Sequence, residues 1–483
     1  MGRPRPGMTE AAALTTERGD LKRETFLYGI SIVVSGLVQA AFLPFVSLFL
    51  PAAAAGELGA LRVTSEAVAG IVVLGLPTAL VKLWQVSRAR RSILLRALGI
   101  PLFPALIVAA LLFALKGPLA SLLRLDHPGY LFHALLLGVA VAYVQVILAL
   151  PRAEGLAGRY MGFQLVRGLG SVGLLAMLLF GGWGGVPAFL SARWIPSYLV
   201  VAVVAVIMWR RTAAFARTEP EVPVTRKLLS FGLPLVPASL AMIVLSSADI
   251  YMLRNIYPDL AESGYYEWAS RVCMVLVPLV LGFRMAWHRF IFRRGREGGR
   301  LEELGRLAML FMLLVNWAAL VLAMASPEIS WLVGGSTYYP ASRILPWLAG
   351  SSAMYALFLV SQTGPLLTGH TKLIGAMTVI GAVLNIIFNL RLIPVAGGVG
   401  AAFATLATNL FMALSLFWMG RKVFPISFLA VTMVVIPPIV YGPLAGLSGM
   451  VRGMVALGGS VLMALLTWVL RAAGTRLKGL RGS

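Results

Sequence analysis

The sequence consists largely of apolar stretches, each long enough to cross a lipid bilayer as a helix. Such a helix needs about 20 mostly apolar residues to cross roughly 30 Å of hydrocarbon. Of the 483 residues, 59% are hydrophobic and only 12% are charged, whereas about 25% are charged in soluble domains. The pattern predicts an all-α polytopic membrane protein. Its transmembrane helices, about fourteen, are predicted at residues 26–49, 61–83, 97–116, 131–150, 165–181, 186–209, 228–253, 265–288, 304–325, 343–364, 372–393, 398–419, 427–447 and 452–471.

The basic residues indicate how the chain is oriented. The chain has 41 Lys and Arg against 18 Asp and Glu, a formal net charge of +23. In a soluble protein this excess would suggest nucleic acid, but here most basic residues lie between apolar spans, so no nucleic-acid partner is expected. If the N-terminus is cytoplasmic, most of them fall in the tails and in alternate connections, where we count Arg152, Arg159 and Arg167 after the fourth span. The positive-inside rule therefore predicts that both termini are cytoplasmic.

Signatures of enzymes and of metal sites are missing from the sequence. It contains no Walker motif, no zinc-ligand spacing and no nucleophile elbow. The single cysteine, Cys273, lies within a predicted span and cannot form a disulfide within the chain. We therefore expect neither a cofactor nor a metal, and no catalytic residues.

A duplication relates the two halves of the chain. A shift of 205 residues aligns Gly59 with Gly264 and Ser65 with Ser270. Internal repeats of this kind are common in transporter folds. The predicted organisation has a basic cytoplasmic tail (1–25), a six-helix bundle (26–209), a linker (210–227), a second six-helix bundle (228–419), two peripheral transmembrane helices (420–471) and a second basic tail (472–483).

The same shift aligns charged residues of opposite sign. Arg62 falls on Glu267 and Glu66 on Arg271, so each half has an i,i+4 pair on one helix face, with the order of signs reversed. If the halves face each other, Arg62 can approach Glu267 and Glu66 can approach Arg271. We interpret these pairs as an outer gate that closes by charge pairing. The alternative is that each pair only neutralises itself along its own helix.

Four stretches of the second half resemble the polysaccharide transport family, the O-antigen and exopolysaccharide flippases of the multidrug/oligosaccharidyl-lipid/polysaccharide superfamily. They are "LLSFGLPLVPASLAMIVLSSADIYMLRN", "ESGYYEWASRVCMVL", "YYPASRILPWLAG" and "GAVLNIIFNLRLIPVAGGVGAAFATLAT". The family's Gly-Leu-Pro and its later Asp are matched at Gly232, Leu233, Pro234 and Asp249. Its pair of Asn, Ile-Pro and glycine turn are matched at Asn385, Asn389, Ile393, Pro394, Gly397 and Gly400.

This resemblance implies both a fold and a function. The fold would be two facing six-helix bundles with two peripheral helices. The function would be export of an undecaprenyl-diphosphate-linked oligosaccharide from the cytoplasmic to the periplasmic leaflet of a bacterial inner membrane. The expected partners are then the lipid-linked oligosaccharide, membrane lipids, a polysaccharide polymerase and glycosyltransferases.

A diphosphate headgroup needs cationic partners in a hydrated cavity. Charged residues within membrane spans usually face a protein interior or water rather than lipid. The helices that carry Arg62, Lys82, Arg271 and Arg284 line the central cavity in the related superfamily, so these four are our candidates for substrate binding. Arg matches phosphate through its fork of donors and Lys acts as a point charge. Lys82 and Arg284 lie near inner helix ends and can instead snorkel to headgroups.

The polar residues of the motifs in the second half have two interpretations. Asp249 is a candidate for ion or proton coupling, as intramembrane carboxylates often are, and pairing with Arg254 or with a helix end is an equal alternative. Asn385, Asn389, Pro394, Gly397 and Gly400 are interpreted as a structural motif. In it the amides hydrogen-bond between helices and small residues allow close packing.

Other functions remain open from the sequence. A lipid II flippase or a multidrug exporter of the same superfamily is a close alternative. A cavity for cationic drugs would need more carboxylates than this one is expected to have. A membrane polymerase or ligase is disfavoured, because its outer loops would have to be longer than the roughly fifteen residues found here.

Overall fold

The computed structural model describes residues 36, 38, 40–86, 90–212, 224–296, 301–421, 423–424, 428–461 and 463. Within these ranges the regular structure is helical, without a strand. The tails 1–25 and 472–483 and most of the linker 210–227 lie outside them. In chain order the helices are α1 (Leu43–Phe49), α2 (Ala52–Val73), α3 (Leu76–Val86), α4 (Arg90–Gly99), α5 (Leu102–Ala114), α6 (Lys116–Leu122), α7 (Tyr130–Ala153), α8 (Ala157–Phe180), α9 (Gly185–Arg211), α10 (Val224–Gly232), α11 (Val236–Ile256), α12 (Ala261–Cys273), α13 (Val277–Arg296), α14 (Leu301–Met324), α15 (Ser326–Tyr338), α16 (Leu345–Ser361), α17 (Thr363–Leu367), α18 (Thr371–Gly420), α19 (Phe428–Ala445) and α20 (449–461).

The all-helical membrane fold predicted from the sequence is confirmed. In the described part of the chain, seven helices are long and apolar enough to cross a membrane, or nine when each of two bent pairs counts as one span. One of the seven is α18, which contains two predicted spans, 372–393 and 398–419. The helix breaks at Gly397, whose φ of 53° is left-handed and therefore favours glycine. An added Cβ on Gly400 would lie 2.3 Å from the carbonyl oxygen of Leu392, so this turn also requires a residue without a side chain.

The second predicted span of each half is formed by two helices with a break between them. In the first half, α2 ends at Leu74 and Gly75, both with positive φ, and α3 continues at an angle of 41°. In the second half, a 3₁₀ turn at Met274–Leu276 separates α12 from α13. These helices also begin earlier than predicted. α2 starts at Ala52 rather than residue 61, because its first turns are small residues that pack against the other half.

Glycines let the two halves touch closely on one side. An added Cβ on Gly264 of α12 would lie only 1.7 Å from the carbonyl oxygen of Ala52 at the start of α2. An added Cβ on Gly59 would lie 2.2 Å from Ile250 Cδ1 and 2.9 Å from Glu267 Cδ. The backbones of α2 and α12 are therefore in direct contact. Under the predicted orientation this contact is at the outer face.

A second contact joins the halves at the opposite end of these helices. An added Cβ on Gly75 would lie 2.3 Å from the carbonyl oxygen of Gly232, and one on Gly232 would lie 2.3 Å from that of Leu74. The bend between α2 and α3 therefore rests on the end of α10. The two halves are therefore in direct contact at two places.

The peripheral helices α19 and α20 pack on α14 of the second half. Tyr441 of α19 donates a hydrogen bond to the carbonyl oxygen of Asn316 at 2.8 Å, and Trp317 Nε1 donates one to Ser460 Oγ at 2.9 Å. These contacts join both helices to α14.

The helix α8 corrects the sequence interpretation of Arg167. The predicted span 165–181 left this arginine at a cytoplasmic edge, but α8 begins at Ala157. At a rise of about 1.5 Å per residue, Arg167 lies about 15 Å from the start of its helix. Arg159, Gln164 and Arg167 lower the apolar character of these first turns, which is why the sequence reading placed them outside the membrane.

Candidate functional site

Four charged residues form a connected cluster where α2 faces α12. Arg62 donates to both carboxylate oxygens of Glu267, from Nε to Oε1 at 3.1 Å and from Nη2 to Oε2 at 3.2 Å. Its Nη1 also donates to Glu66 Oε1 at 2.6 Å. Arg62 therefore holds two carboxylates, one on its own helix and one from the opposite half. Planar two-point pairing of this kind is the strong geometry for Arg and carboxylate.

The second half of the predicted gate is arranged differently. Arg271 Nη2 lies 2.7 Å from Glu267 Oε1, in an ion pair along its own helix. Its Nε and Nη2 are buried without a hydrogen bond to any residue that the structure describes. Glu66 pairs with Arg62 rather than with Arg271. The structure thus brings Arg62 and Glu267 together across the halves, but it does not join Glu66 to Arg271.

A chamber of about 270 Å³ lies beside this cluster, within the first bundle. The walls come from α2, α7, α8 and α9 and from Val38 and Phe42 before α1, with Met274 of the second half closing one side. Five of its lining side chains are charged or carry an amide, namely Arg62, Glu66, Gln164, Arg167 and Arg193, and three more are serines, at 65, 171 and 197. The remaining lining residues are apolar apart from Gly168. Three guanidinium groups therefore face this chamber against one carboxylate.

Arg167 and Arg193 were missed as candidates by sequence reasoning. Arg193 packs its guanidinium over the ring of Phe42, with 4.7 Å from Cζ to the ring centroid. Arg167 Nε is buried and has no hydrogen-bond partner among the described residues. One local signal could have found them: each is followed four residues later by a serine whose hydroxyl donates to the arginine's own carbonyl oxygen. Both Arg-x-x-x-Ser faces point into the chamber.

Lys82 and Arg284 lie outside the residues that line this chamber. The Lys82 Nζ lies 4.5 Å from the ring centroid of Phe231, and its side chain is exposed. Arg284 on α13 is exposed as well. Of the four predicted substrate-binding residues, only Arg62 lines the chamber, and Arg271 lies in the adjoining ion cluster.

The contact between the start of α2 and α12 is reinforced by Arg254, at the end of α11. Its guanidinium donates to the carbonyl oxygens of Leu123 at 3.0 Å and Ala53 at 3.3 Å, and also to that of Arg124. Arg124 in turn donates to the carbonyl oxygen of Arg254 at 2.8 Å. Arg254 therefore binds backbone of the first half and does not pair with Asp249.

Asp249 lies at the centre of a buried polar cluster in the second half. Its Oδ2 accepts from the hydroxyls of Tyr266 at 2.5 Å and Thr405 at 2.7 Å, and its Oδ1 accepts from Asn389 Nδ2 at 2.6 Å. Asn389 also donates to Asn385 Oδ1 at 3.1 Å. Among the described residues, no cation pairs with this carboxylate.

The two asparagines predicted as a structural motif therefore belong to this polar cluster. Asn385 and Asn389 are 1% and 0% exposed, and the Asn389 Oδ1 is buried without a hydrogen-bond donor among the described residues. A buried carboxylate with an unpaired amide oxygen beside it can take up a proton or a small cation. No group of three or more His, Cys, Asp or Glu that could hold a metal ion occurs in the ranges that the structure covers.

Comparison with known proteins places the fold among solved transporters. No protein-family description and no curated protein matches the chain. A solved "lipid II flippase MurJ, inward closed conformation" matches with a TM-score of 0.64 and 12% identity, over 92% of this chain and 98% of that one. An inward-facing multidrug resistance MATE family transporter of the MOP superfamily matches with a TM-score of 0.61 and 15% identity, over 83% of this chain and 93% of that one. The outward-facing conformation of such a transporter matches with a TM-score of 0.58 and 17% identity, over 83% and 95% of the two chains.

These matches cover 83–92% of this chain and 93–98% of the solved chains, and at such low identity they show the fold alone. The chain has the helical architecture of these transporters.

Proposed function

We propose that the chain is a flippase that moves an undecaprenyl-diphosphate-linked oligosaccharide from the cytoplasmic to the periplasmic leaflet by alternating access. The observation that carries this proposal is the basic chamber beside an ion pair that joins the two halves. Arg62 lines the chamber and is also held by Glu267 of the opposite half. A change in the contact between the halves would therefore change the charge that the chamber offers to a substrate.

The charge of the chamber favours an anionic substrate. Three arginines line it and one glutamate opposes them, and the arginine fork matches phosphate oxygens well. Cationic drugs would be repelled, so the multidrug-exporter alternative is less favoured despite the similarity of fold. Lipid II is a polyprenyl-diphosphate saccharide too, and the chemistry of the chamber suits it equally.

We further propose that Asp249 couples transport to an ion gradient. Its carboxylate is buried among donors and lacks a cationic partner in the described chain. Buried carboxylates of this kind are expensive in the membrane and are usually functional. A polysaccharide polymerase and glycosyltransferases would act on the two sides of the transport step, as the family resemblance implies.

The test is a flipping assay with the purified full chain in proteoliposomes. The substrate is a polyprenyl-diphosphate saccharide with a nitrobenzoxadiazole label on the sugar, and dithionite added outside bleaches only the outer leaflet. Flipping by the protein would let dithionite bleach label that began in the inner leaflet, which it cannot reach in protein-free vesicles. Lipid II with the same label and a cationic dye are run in parallel.

The three substrates separate the alternatives. Flipping of both diphosphate lipids but not of the dye supports the proposal, and their relative rates assign the pathway. Transport of the dye alone would establish a drug exporter and overturn it.

A further inference from the structure

The chamber and the adjoining ion cluster carry an excess of positive charge. Together they contain four guanidinium groups, of Arg62, Arg167, Arg193 and Arg271, and two carboxylates, of Glu66 and Glu267. Arginine stays protonated in proteins, so among the described residues two positive charges lack a counter-charge. A diphosphate joined to a lipid at one end and to a sugar at the other has one negative charge on each phosphate. The two unpaired positive charges therefore equal in number the two negative charges of the ligand.

The unpaired charges can be assigned to particular residues. Glu66 and Glu267 are both engaged by Arg62, and Glu267 also pairs with Arg271. No described group forms an ion pair or a hydrogen bond with the guanidinium of Arg167 or of Arg193. The Nε of Arg167 is buried without an acceptor among the described residues, which is unfavourable for a charged donor. These two arginines are the groups in the chamber with most to gain from an anion.

The geometry brings both arginines to one chamber wall. Arg167 lies on α8 and Arg193 on α9, and an added Cβ on Gly170 of α8 would lie 3.5 Å from Pro196 of α9, so the two helices are in contact beside them. Ser171 and Ser197 stand one turn further along each helix, and Gln164 one turn before Arg167, all in the same lining. The Gln164 amide can donate to a phosphate oxygen, and each serine hydroxyl can do so when it turns away from the carbonyl oxygen that it bonds here.

The size of the chamber fits a headgroup fragment. Its volume of about 270 Å³ is just below the roughly 300–1,000 Å³ of small-molecule pockets. A diphosphate, with part of the first sugar, is therefore a better occupant than a whole oligosaccharide.

We propose that Arg167 and Arg193 form a diphosphate subsite within the first bundle, separate from the interbundle pair of Arg62 and Glu267. This inference rests on the proposed function and names the part of the substrate that the first bundle holds. In this proposal Arg62 stays paired with its carboxylates while the diphosphate is bound. The subsite binds the substrate, and the pair of Arg62 and Glu267 forms only while the two halves are in contact.

The first experiment measures binding of a short-chain polyprenyl diphosphate and of inorganic diphosphate to the full chain in nanodiscs. The variant Arg167→Gln/Arg193→Gln is compared with Arg159→Gln/Arg210→Gln, which removes one exposed arginine from each of the same two helices. A charge-assisted hydrogen bond contributes about 1.5–3 kcal/mol, so each chamber arginine should change the Kd about tenfold or more. The chamber variant should lose affinity by that factor or its square, and the control variant should bind as the wild type does.

The conservative variant Arg167→Lys/Arg193→Lys tests geometry against charge. It keeps both positive charges but loses the fork of donors, so we expect an affinity between those of the wild type and the Gln variant.

Binding of both probes would assign the subsite to the diphosphate itself. Binding of the polyprenyl diphosphate alone would show that the lipid is required as well, and the site would still be the one proposed.

A second measurement uses the wild-type chain, so it does not depend on how the variants fold. Phenylglyoxal modifies accessible arginines, and peptide mass spectrometry reports each one. The polyprenyl diphosphate should protect Arg167 and Arg193 but not Arg159 and Arg210. Unchanged labelling of Arg167 and Arg193, together with undiminished binding by the Gln variant, would overturn the subsite while leaving the proposed function intact if flipping continues. Failure of the wild type to bind or flip any diphosphate lipid would remove the proposed function itself.

Discussion

Glu267 lies between an arginine of its own helix and an arginine of the facing bundle, with its side chain only 4% exposed. Both arginines depend on this one carboxylate. Arg62 has Glu66 as a second partner, whereas Arg271 has no other ion pair among the described residues. Removing one member of a buried ion pair costs about 3–5 kcal/mol, because the other charge stays buried without compensation.

We therefore expect Glu267→Gln to be more harmful than Glu66→Gln. The first substitution should lower the unfolding free energy by about 3–5 kcal/mol and slow flipping. The second removes a carboxylate that is 39% exposed, so its effect should be within about 1 kcal/mol. Thermal unfolding in detergent and the vesicle assay measure both. Equal effects of the two substitutions would contradict the central place given to Glu267.

The charge-swap test follows from the same contacts. Arg62→Glu places three carboxylates together and should block transport. Adding Glu267→Arg restores the pair between the halves but leaves like charges at the i,i+4 positions of both helices, which destabilise them. We expect only partial recovery of flipping from the double variant. The fourfold variant, which adds Glu66→Arg and Arg271→Glu, should recover more. If neither variant recovers flipping at normal protein levels, the ion pair is not a gate.

A third prediction at this scale concerns Asp249. The variant Asp249→Asn keeps a hydrogen-bonding side chain among Tyr266, Asn389 and Thr405 but removes the charge, so the fold should persist while the dependence of flipping on a sodium or proton gradient disappears. The matched control is Asp259→Asn, at an exposed position after α11. Flipping rates with and without each gradient measure the effect. A gradient response that survives in Asp249→Asn would rule out this carboxylate as the coupling group.

At the scale of elements, the sequence predicted more about the helices than about where they break. The spans at 372–393 and 398–419 and their turn at Gly397 agree with the two halves of α18, because a glycine followed by small residues identifies a tight turn. The start of α2 was misplaced by nine residues, since alanines and glycines have little hydropathy and their role is to allow contact with α12. Packing between distant segments decides such boundaries, and a sequence window does not see it.

The contact between α2 and α12 yields a prediction about the outer face. Gly264→Ala places a Cβ within 1.7 Å of the Ala52 carbonyl oxygen, so the helices must separate. Overpacking costs about 1–3 kcal/mol, which should raise the fraction with an open outer side about tenfold. The measurement is labelling of Ser65→Cys, in the chamber wall, by an impermeant thiol reagent in a Cys273→Ser background. Gly129→Ala, where an added Cβ meets no atom within 4 Å, is the control and should leave the labelling rate unchanged.

At the scale of the whole molecule, the duplication made part of the site predictable. The shift that aligns the halves also places Arg62 opposite Glu267, and the structure joins these two residues. The chamber could not be predicted in the same way. Arg167 resembles a cytoplasmic positive charge until α8 is seen to begin at Ala157. The sequence did not indicate the partners of Asp249, because Tyr266, Asn389 and Thr405 reach it from three other segments.

Alternating access requires the two halves to separate on the outer side, and one pair of positions can prevent this reversibly. An ideal Cβ on Gly56 of α2 would lie 3.0 Å from the Cβ of Ser263 of α12, somewhat closer than the roughly 3.8 Å of an average disulfide. A small separation of the helices would accommodate the bond.

In a Cys273→Ser background, the variant Gly56→Cys/Ser263→Cys should flip its substrate normally when reduced. Flipping should stop when the variant is oxidised and recover with dithiothreitol. Substrate binding from the cytoplasmic side should survive oxidation, because the disulfide closes only the outer path. Each single cysteine variant should be insensitive to oxidant. Undiminished flipping by a fully cross-linked sample would mean that α2 and α12 stay together throughout transport, and the substrate would then have to leave by a path that does not part these two helices.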